Sequence, residues 1–119
     1  MKPVLLIVDD EIRVLSALRR ALRKEGYEIL TASTPQQALA LLDEREIDAI
    51  LSDHKMPGMT GLQILGEARR RRPGAARLLI SGWPEAVQQR DLDALGVQVL
   101  IPKPWDDADL KAELRSALR

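Results

Sequence analysis

The stretch Val4-Leu5-Leu6-Ile7-Val8-Asp9-Asp10 decides how this chain is read. An unbroken apolar run rich in Val, Leu and Ile is what a strand buried on both faces looks like, and the two carboxylates show where the buried run ends. A helical pattern follows. From Glu11 to Glu25, Val14, Leu15, Leu18 and Leu22 fall on one face, and Gly26 supplies a C-terminal stop. Together they form a buried strand joined to an amphipathic helix.

The same unit recurs outward from this point. Apolar runs at Glu28 to Ala32, Asp48 to Ser52, Arg77 to Ile80 and Val97 to Ile101 predict four further strands. A second helix begins with Ser33 and Thr34 as N-caps and Pro35 in the first turn, with Ala38, Leu39, Leu41 and Leu42 on its apolar side. A third, Leu62 to Arg72, turns Leu62, Leu65 and Ala68 inward and stops at Pro73-Gly74. The fifth starts near Asp106 and carries Leu110, Leu114 and Leu118. Between them, Pro84 to Leu95 has only Val87, Leu92 and Leu95 as large apolar residues, which predicts a short or mobile fourth helix. Five strands, each followed by a helix, need right-handed crossovers between parallel neighbours, so the expected class is α/β: a doubly wound, five-stranded parallel sheet. No repeat, low-complexity segment or Gly/Ser-rich linker interrupts the pattern, so residues 1–119 read as a single domain with any effector domain outside them.

Composition narrows the functional classes. The 119 residues are 45% apolar and 30% charged, as in an ordinary globular domain. Lys plus Arg and Asp plus Glu both number 18, so the zero formal charge draws the chain to neither nucleic acid nor membrane. The absence of cysteine excludes disulfides, thiolate metal sites and a cysteine nucleophile, and agrees with a reducing compartment. The apolar run after Pro3 is too short for a signal peptide and no run reaches membrane-spanning length, so the expected location is cytoplasmic.

In doubly wound sheets, ligands bind beyond the carboxyl ends of the strands. Asp9-Asp10, Asp53, Ser81 and Lys103 all fall there, after the first, third, fourth and fifth strands. Three carboxylates brought together repel unless a cation intervenes, and an all-oxygen site suits Mg²⁺, with Mn²⁺ as a substitute. No Gly-rich phosphate loop occurs, and one histidine cannot build a zinc site. A carboxylate is a competent nucleophile in phosphoryl transfer when a metal and a fixed cation stabilise the transferring oxygens, which singles out Asp53. The turn-rich segment Met56-Pro57-Gly58-Met59-Thr60-Gly61 sets a loop beside it.

In order and spacing, Asp9-Asp10, Asp53 with Met56 to Gly61, Ser81-Gly82 and Lys103-Pro104 resemble the receiver domain of two-component response regulators, of the chemotaxis-regulator-like kind. The resemblance spans nearly the whole chain. It implies a flavodoxin-like (βα)5 fold and transfer of a phosphoryl group to Asp53 from a sensor histidine kinase or phosphotransfer protein. It also implies Mg²⁺ held by Asp10, Asp53 and the backbone carbonyl of Lys55, with Asp9 acting largely through water. Lys103 and Ser81 would contact the phosphoryl group, and the Lys103–Pro104 peptide bond would be cis. The chemistry would be self-directed, with no turnover of an external substrate. Its output would be a changed partner preference on the face built from the fourth helix, fifth strand and fifth helix, read by an effector domain, a downstream protein or a second copy. The segment Pro102-Lys103-Pro104-Trp105 further resembles receivers found beside cyclic-dinucleotide phosphodiesterase or sensor-kinase modules. Leu100 stands where many receivers carry an aromatic residue that rotates inward on activation. Lys55 and Trp83, each two residues beyond Asp53 and Ser81 respectively, fall where the family tunes the lifetime of the phosphoryl group.

Each residue also has a plainer explanation. Asp9-Asp10 suits a helix N-cap, Ser81 a turn and Lys103 a solvated surface; their coincidence at matching strand ends favours the site. By strand alternation, His54 is expected to face away from the Asp53 carboxylate and serve the structure. Arg69 to Arg72 suit a solvated helix C-terminus better than a nucleic-acid patch. Trp83 and Trp105 lean toward partner contact. The main rival is a constitutive dimerisation or docking module of the same fold, favoured only by Leu100. A metal-dependent phosphatase lacks a general acid near Asp53 and a cap over a substrate pocket.

Overall fold

The computed structural model describes residues 2–119. The strands are β1 (Val4–Val8), β2 (Glu28–Ala32), β3 (Ala49–Asp53), β4 (Ala76–Ser81) and β5 (Val99–Pro102), and the helices are α1 (Ile12–Leu22), α2 (Pro35–Glu44), α3 (Gly61–Arg71), α4 (Gln89–Ala94) and α5 (Asp107–Ala117). The strands form one sheet in the order β2-β1-β3-β4-β5, with every pair parallel. Strand order reverses around β1 and β3, so the crevice at their carboxyl ends is the switch point of the sheet.

Side-chain alternation along the strands divides the core in two. Leu5, Ile7, Leu51, Leu78 and Ile80 pack against Leu15, Leu18 and Leu22 of α1 and Leu110 and Leu114 of α5. Leu6, Val8, Ile50 and Leu79 meet Ala38 and Leu42 of α2, Ile64, Leu65 and Ala68 of α3 and Leu92 of α4. The expected doubly wound α/β sheet is therefore observed, with α1 and α5 on one face and α2, α3 and α4 on the other.

Several boundaries differ from expectation for identifiable reasons. α1 ends at Leu22, its last buried residue, and the chain turns through Glu25 before Gly26 adopts φ +87°. β3 includes Asp53, whereas Asp48 precedes the strand and uses its carboxylate to accept a hydrogen bond from Val4 N at 2.7 Å. β4 is six residues long and wholly buried, Arg77 included. α3 starts at Gly61 because Thr60 caps it: Thr60 Oγ1 accepts from Gln63 N and the Gln63 side chain accepts from Thr60 N. Ile64 joins Leu65 and Ala68 in the core and the expected Leu62 is only half-buried, since residues at i, i+1 and i+4 make the tighter stripe. The expected fourth helix breaks into a 3-10 turn at Pro84–Ala86 and the six-residue α4, whose only buried residue is Leu92. Val97 and Gln98, expected in β5, form the approach to it, with Val97 N donating to the Leu92 carbonyl.

Candidate functional site

Asp9 follows β1 with no solvent exposure, and one of its carboxylate oxygens, Oδ1, accepts a hydrogen bond from Glu11 N at 2.9 Å. This bond closes a local turn ahead of α1, whose N-cap is Glu11 and has no side-chain cap, so the helix-capping role of the plainer explanation is not what Asp9 performs. Asp53, the last residue of β3, is 7% exposed. One carboxylate oxygen each from Asp9, Asp10 and Asp53 lies within 4.8 Å of the others. Lys103 reaches into this group from the loop after β5, its Nζ donating to Asp9 Oδ2 at 2.8 Å and Asp53 Oδ1 at 2.9 Å. The Lys103–Pro104 peptide bond is cis.

Burial holds the Asp53 carboxyl above the usual carboxylate range, with the Asp9 charge adding to the effect and Lys103 opposing it. Burial also pulls the Lys103 ammonium downward, yet its hydrogen bonds and charge attraction to Asp9 and Asp53 prevail and leave it raised. Lys103 is thus held as a cation between two carboxylates. Both Asp9 oxygens already have partners, whereas Asp10 and the second Asp53 oxygen keep acceptor capacity, an all-oxygen donor set that fits a hard divalent cation.

A cavity of ≈ 200 Å³ opens beside Asp53 and is walled by Glu11, Lys55, Ser81, Trp83 and Lys103. Ser81 ends β4 at 3% exposure, and its hydroxyl oxygen accepts a hydrogen bond from Trp83 N at 3.0 Å. Lys55 Nζ lies 5.3 Å from the Trp83 ring centroid, so the two side chains meet over the cavity, and Trp83 is 61% exposed. Part of His54 also lines this cavity. His54 N donates to the Ile80 carbonyl at 3.0 Å, continuing the ladder one residue past Asp53, and its Nδ1 is buried with no hydrogen-bond partner. Leu100 pairs with Leu79 and is half-buried against the α2/α3/α4 core. Trp105 is partly buried against the α1/α5 core and donates from Nε1 to Asp107 Oδ1 at 2.9 Å, which ties it to the start of α5.

Reasoning from sequence did not single out Gly61 within its loop. Its amide donates to the His54 carbonyl at 2.7 Å, and a Cβ there would lie 2.0 Å from the Asp53 carbonyl oxygen. Only glycine lets the α3 N-terminus approach the end of β3 this closely. Nothing in the local pattern distinguishes it from Gly58, where a Cβ would meet only Pro35 Cγ at 3.9 Å and φ is +91°. The solvated face expected of Arg69 to Arg72 holds for the exposed Arg69 and Arg70, whereas Arg71 and Arg72 are partly buried. Arg71 pairs with Asp43 and Glu67, Arg72 Nε donates to the Leu42 carbonyl, and Arg69 donates to the Ala94 carbonyl.

The profile of the family described as the response regulator receiver domain matches residues 5–115. The chain belongs to this family. As a receiver domain it is part of two-component, phosphorelay signalling. It is 39% identical over 114 residues to the hydrogenase transcriptional regulatory protein HoxA of Cupriavidus necator, covering 95% of this chain and 23% of that protein. It is 36% identical to the transcriptional regulatory protein CpxR of Klebsiella pneumoniae, covering 97% of this chain and 49% of that protein. The receiver thus spans half or less of these curated relatives. Among solved structures, it resembles a CheY-like receiver domain protein from Methanospirillum hungatei with a TM-score of 0.90 and 28% identity, over 99% of this chain and 94% of that one. The signal receiver domain of an HD domain-containing protein from Pseudomonas fluorescens superposes with a TM-score of 0.91 and 31% identity, over 98% and 87% of the two chains. Among the described residues, no helix of the receiver is long and apolar enough to cross a membrane.

Proposed function

We propose that this receiver domain accepts a phosphoryl group on Asp53 and passes the change to the α4–β5–α5 face. The observation that carries this reading is Lys103 Nζ, 2.8 Å from Asp9 and 2.9 Å from Asp53, fixed inside a cluster of three carboxylates. A partly buried cation bonded to a nucleophilic carboxylate is what a transferring phosphoryl group needs, because negative charge grows on its oxygens. The donor is a sensor histidine kinase or a phosphotransfer protein. The Asp53 oxygen attacks phosphorus, the bond from phosphorus to the donor imidazole breaks, and the imidazole leaves as it takes up a proton.

Asp10, Asp53 and the Lys55 carbonyl would hold Mg²⁺ directly and Asp9 would act through water, the ion offsetting charge on the phosphoryl oxygens. Lys103 stays with the phosphoryl group as its fixed counter-charge. Ser81 exchanges its bond with Trp83 N for one to a phosphoryl oxygen, and this drags the start of the β4–α4 segment. Leu100 is already packed against the core and has no polar tip, so it takes no inward aromatic step. The chemistry is self-directed, within a cytoplasmic domain, and the reader of the switch is an effector domain, a downstream protein or a second copy of this chain.

The test is intact-protein mass after incubation with acetyl phosphate, with and without Mg²⁺, on the wild type and Asp53→Asn. An adduct of one phosphoryl group that needs Mg²⁺ and is missing from the variant is expected. With no adduct from a small donor or from a kinase, Leu100 would be the observation favouring a constitutive docking module.

A further inference from the structure

The two ends of α4 are held in opposite ways. At the C-terminal end, Arg69 donates to the Ala94 carbonyl and Arg77 Nε donates to the Leu95 carbonyl at 2.9 Å. Arg77 Nη1 also donates to the carbonyls of Ala75 at 2.9 Å and Pro73 at 3.3 Å, in the connection between α3 and β4. Its backbone closes the knot: Arg77 N donates to Gln98 Oε1 at 2.6 Å and Gln98 N donates back to the Arg77 carbonyl at 2.8 Å. Arg77 is 8% exposed, and its guanidinium is bonded to carbonyls alone. Burial disfavours its charge and the neighbouring Arg69 adds to this. Such a cation persists only where fixed dipoles replace water, and the last carbonyls of a helix supply them. Gly96, at φ +62°, wraps onto the guanidinium so closely that a Cβ would lie 2.7 Å from Nη2.

The N-terminal end has no comparable hold. Neither the 3-10 turn nor the Gln88 N-cap receives a side-chain hydrogen bond, and Gln88, Gln89, Arg90 and Asp91 are exposed. Leu92 is the only buried residue of the helix, and the chain before it leads back to Trp83 and its bond to Ser81.

We propose that Arg77 is the fixed pivot of α4: the segment 82–90 opens and reorients from its N-terminal end, and the movement stops at Leu95. The trigger rests on the phosphoryl reading above, whereas the pivot is a property of the resting chain. Arg77 is in this sense a positioning residue, acting through α4.

Amide hydrogen exchange on the full chain tests it. In the resting wild type, amides of residues 85–90 should exchange at least about tenfold faster than those of Leu95, Gly96 and Val97. Arg77→Met should raise exchange at 92–98 by roughly tenfold or more while β1 and β3 stay protected, and Arg77→Lys should recover part of that protection. Gly96→Ala, which leaves Arg77 in place but occupies the space of its guanidinium, should act like Arg77→Met and covers the case in which that variant does not fold. Equal exchange at both ends of α4 in the wild type, or unchanged exchange at 92–98 in the variants, overturns the pivot. Acetyl phosphate with Mg²⁺ should then alter exchange at 82–90 and leave 95–98 unchanged. An adduct by mass with equal changes in both segments refutes the pivot alone; no adduct, with the two ends still different at rest, refutes the phosphoryl reading alone.

Discussion

Asp53 and Asp9 are both buried, and a single ammonium lies between them. Because burial raises the Asp53 pKa above its unfolded value of about 3.9, the stability linked to its protonation is full below that pH and is lost as pH rises through the folded value. In metal-free buffer, Asp53→Asn should therefore gain stability relative to the wild type between about pH 4 and pH 7. Urea midpoints at the two pH values check this, and a relative gain that shrinks toward neutral pH would contradict it. The Lys55–Trp83 pair is exposed, so its attraction is worth only about 0.5–1 kcal/mol, enough for a partial screen over the cavity and not a seal. Lys55→Ala or Trp83→Ala should each shorten the phosphoryl lifetime by roughly two- to fivefold, measured as decay of the Asp53 adduct, the factor that such an energy corresponds to. Identical decay in both variants and the wild type would rule the screen out. The positions of these residues were legible from their spacing to Asp53 and Ser81; that their side chains touch was not, because contact between two loops depends on strand order.

Elements were legible wherever the apolar period was strong. The 3.6-residue stripe of α1 and the unbroken run of β1 needed no tertiary information, whereas Pro84 to Leu95 carried too few apolar residues to define a helix, and the structure resolves it into a turn and a short α4 anchored by Leu92. The start of α3 had a readable signature, Thr60 followed three residues later by Gln63, and both reciprocal hydrogen bonds form. Thr60→Ala should cost about 1 kcal/mol of stability, read as a lower urea midpoint with an unchanged slope. A larger loss would mean that Thr60 also supports the approach of Gly61 to Asp53. The run Arg69 to Arg72 shows the opposite limit. Four adjacent cations at a helix end read as a solvated face, yet three of them tie α3 to α2 and α4 because the crossovers place carbonyls and Asp43 within reach.

For the whole molecule, the carboxylate cluster means that folding brings together charges that the unfolded chain keeps apart. A divalent cation that binds only the folded state stabilises it by RT ln(1 + [L]/Kd), about 2.7 kcal/mol at a hundredfold excess over Kd. Mg²⁺ should thus raise the Tm of the wild type in a concentration-dependent way and have little effect on Asp53→Asn or Asp10→Asn, as followed by thermal unfolding at constant ionic strength. An equal rise in all three proteins would assign the effect to ionic strength and not to the cluster. By itself, the sequence determined the alternation of strand and helix, the parallel doubly wound class and the residues at the strand ends, because hydrophobic period and crossover handedness are local rules. Only the tertiary structure decided which of those residues meet. Asp9, Asp53 and Lys103 are separated by tens of residues and become hydrogen-bonded partners through the order β2-β1-β3-β4-β5 alone. The buried Arg77, a lone charge in an apolar run, acquired its three carbonyl partners in the same way. Polar groups withdrawn from water must find partners in the fold, and which partners they find depends on topology that no local pattern encodes.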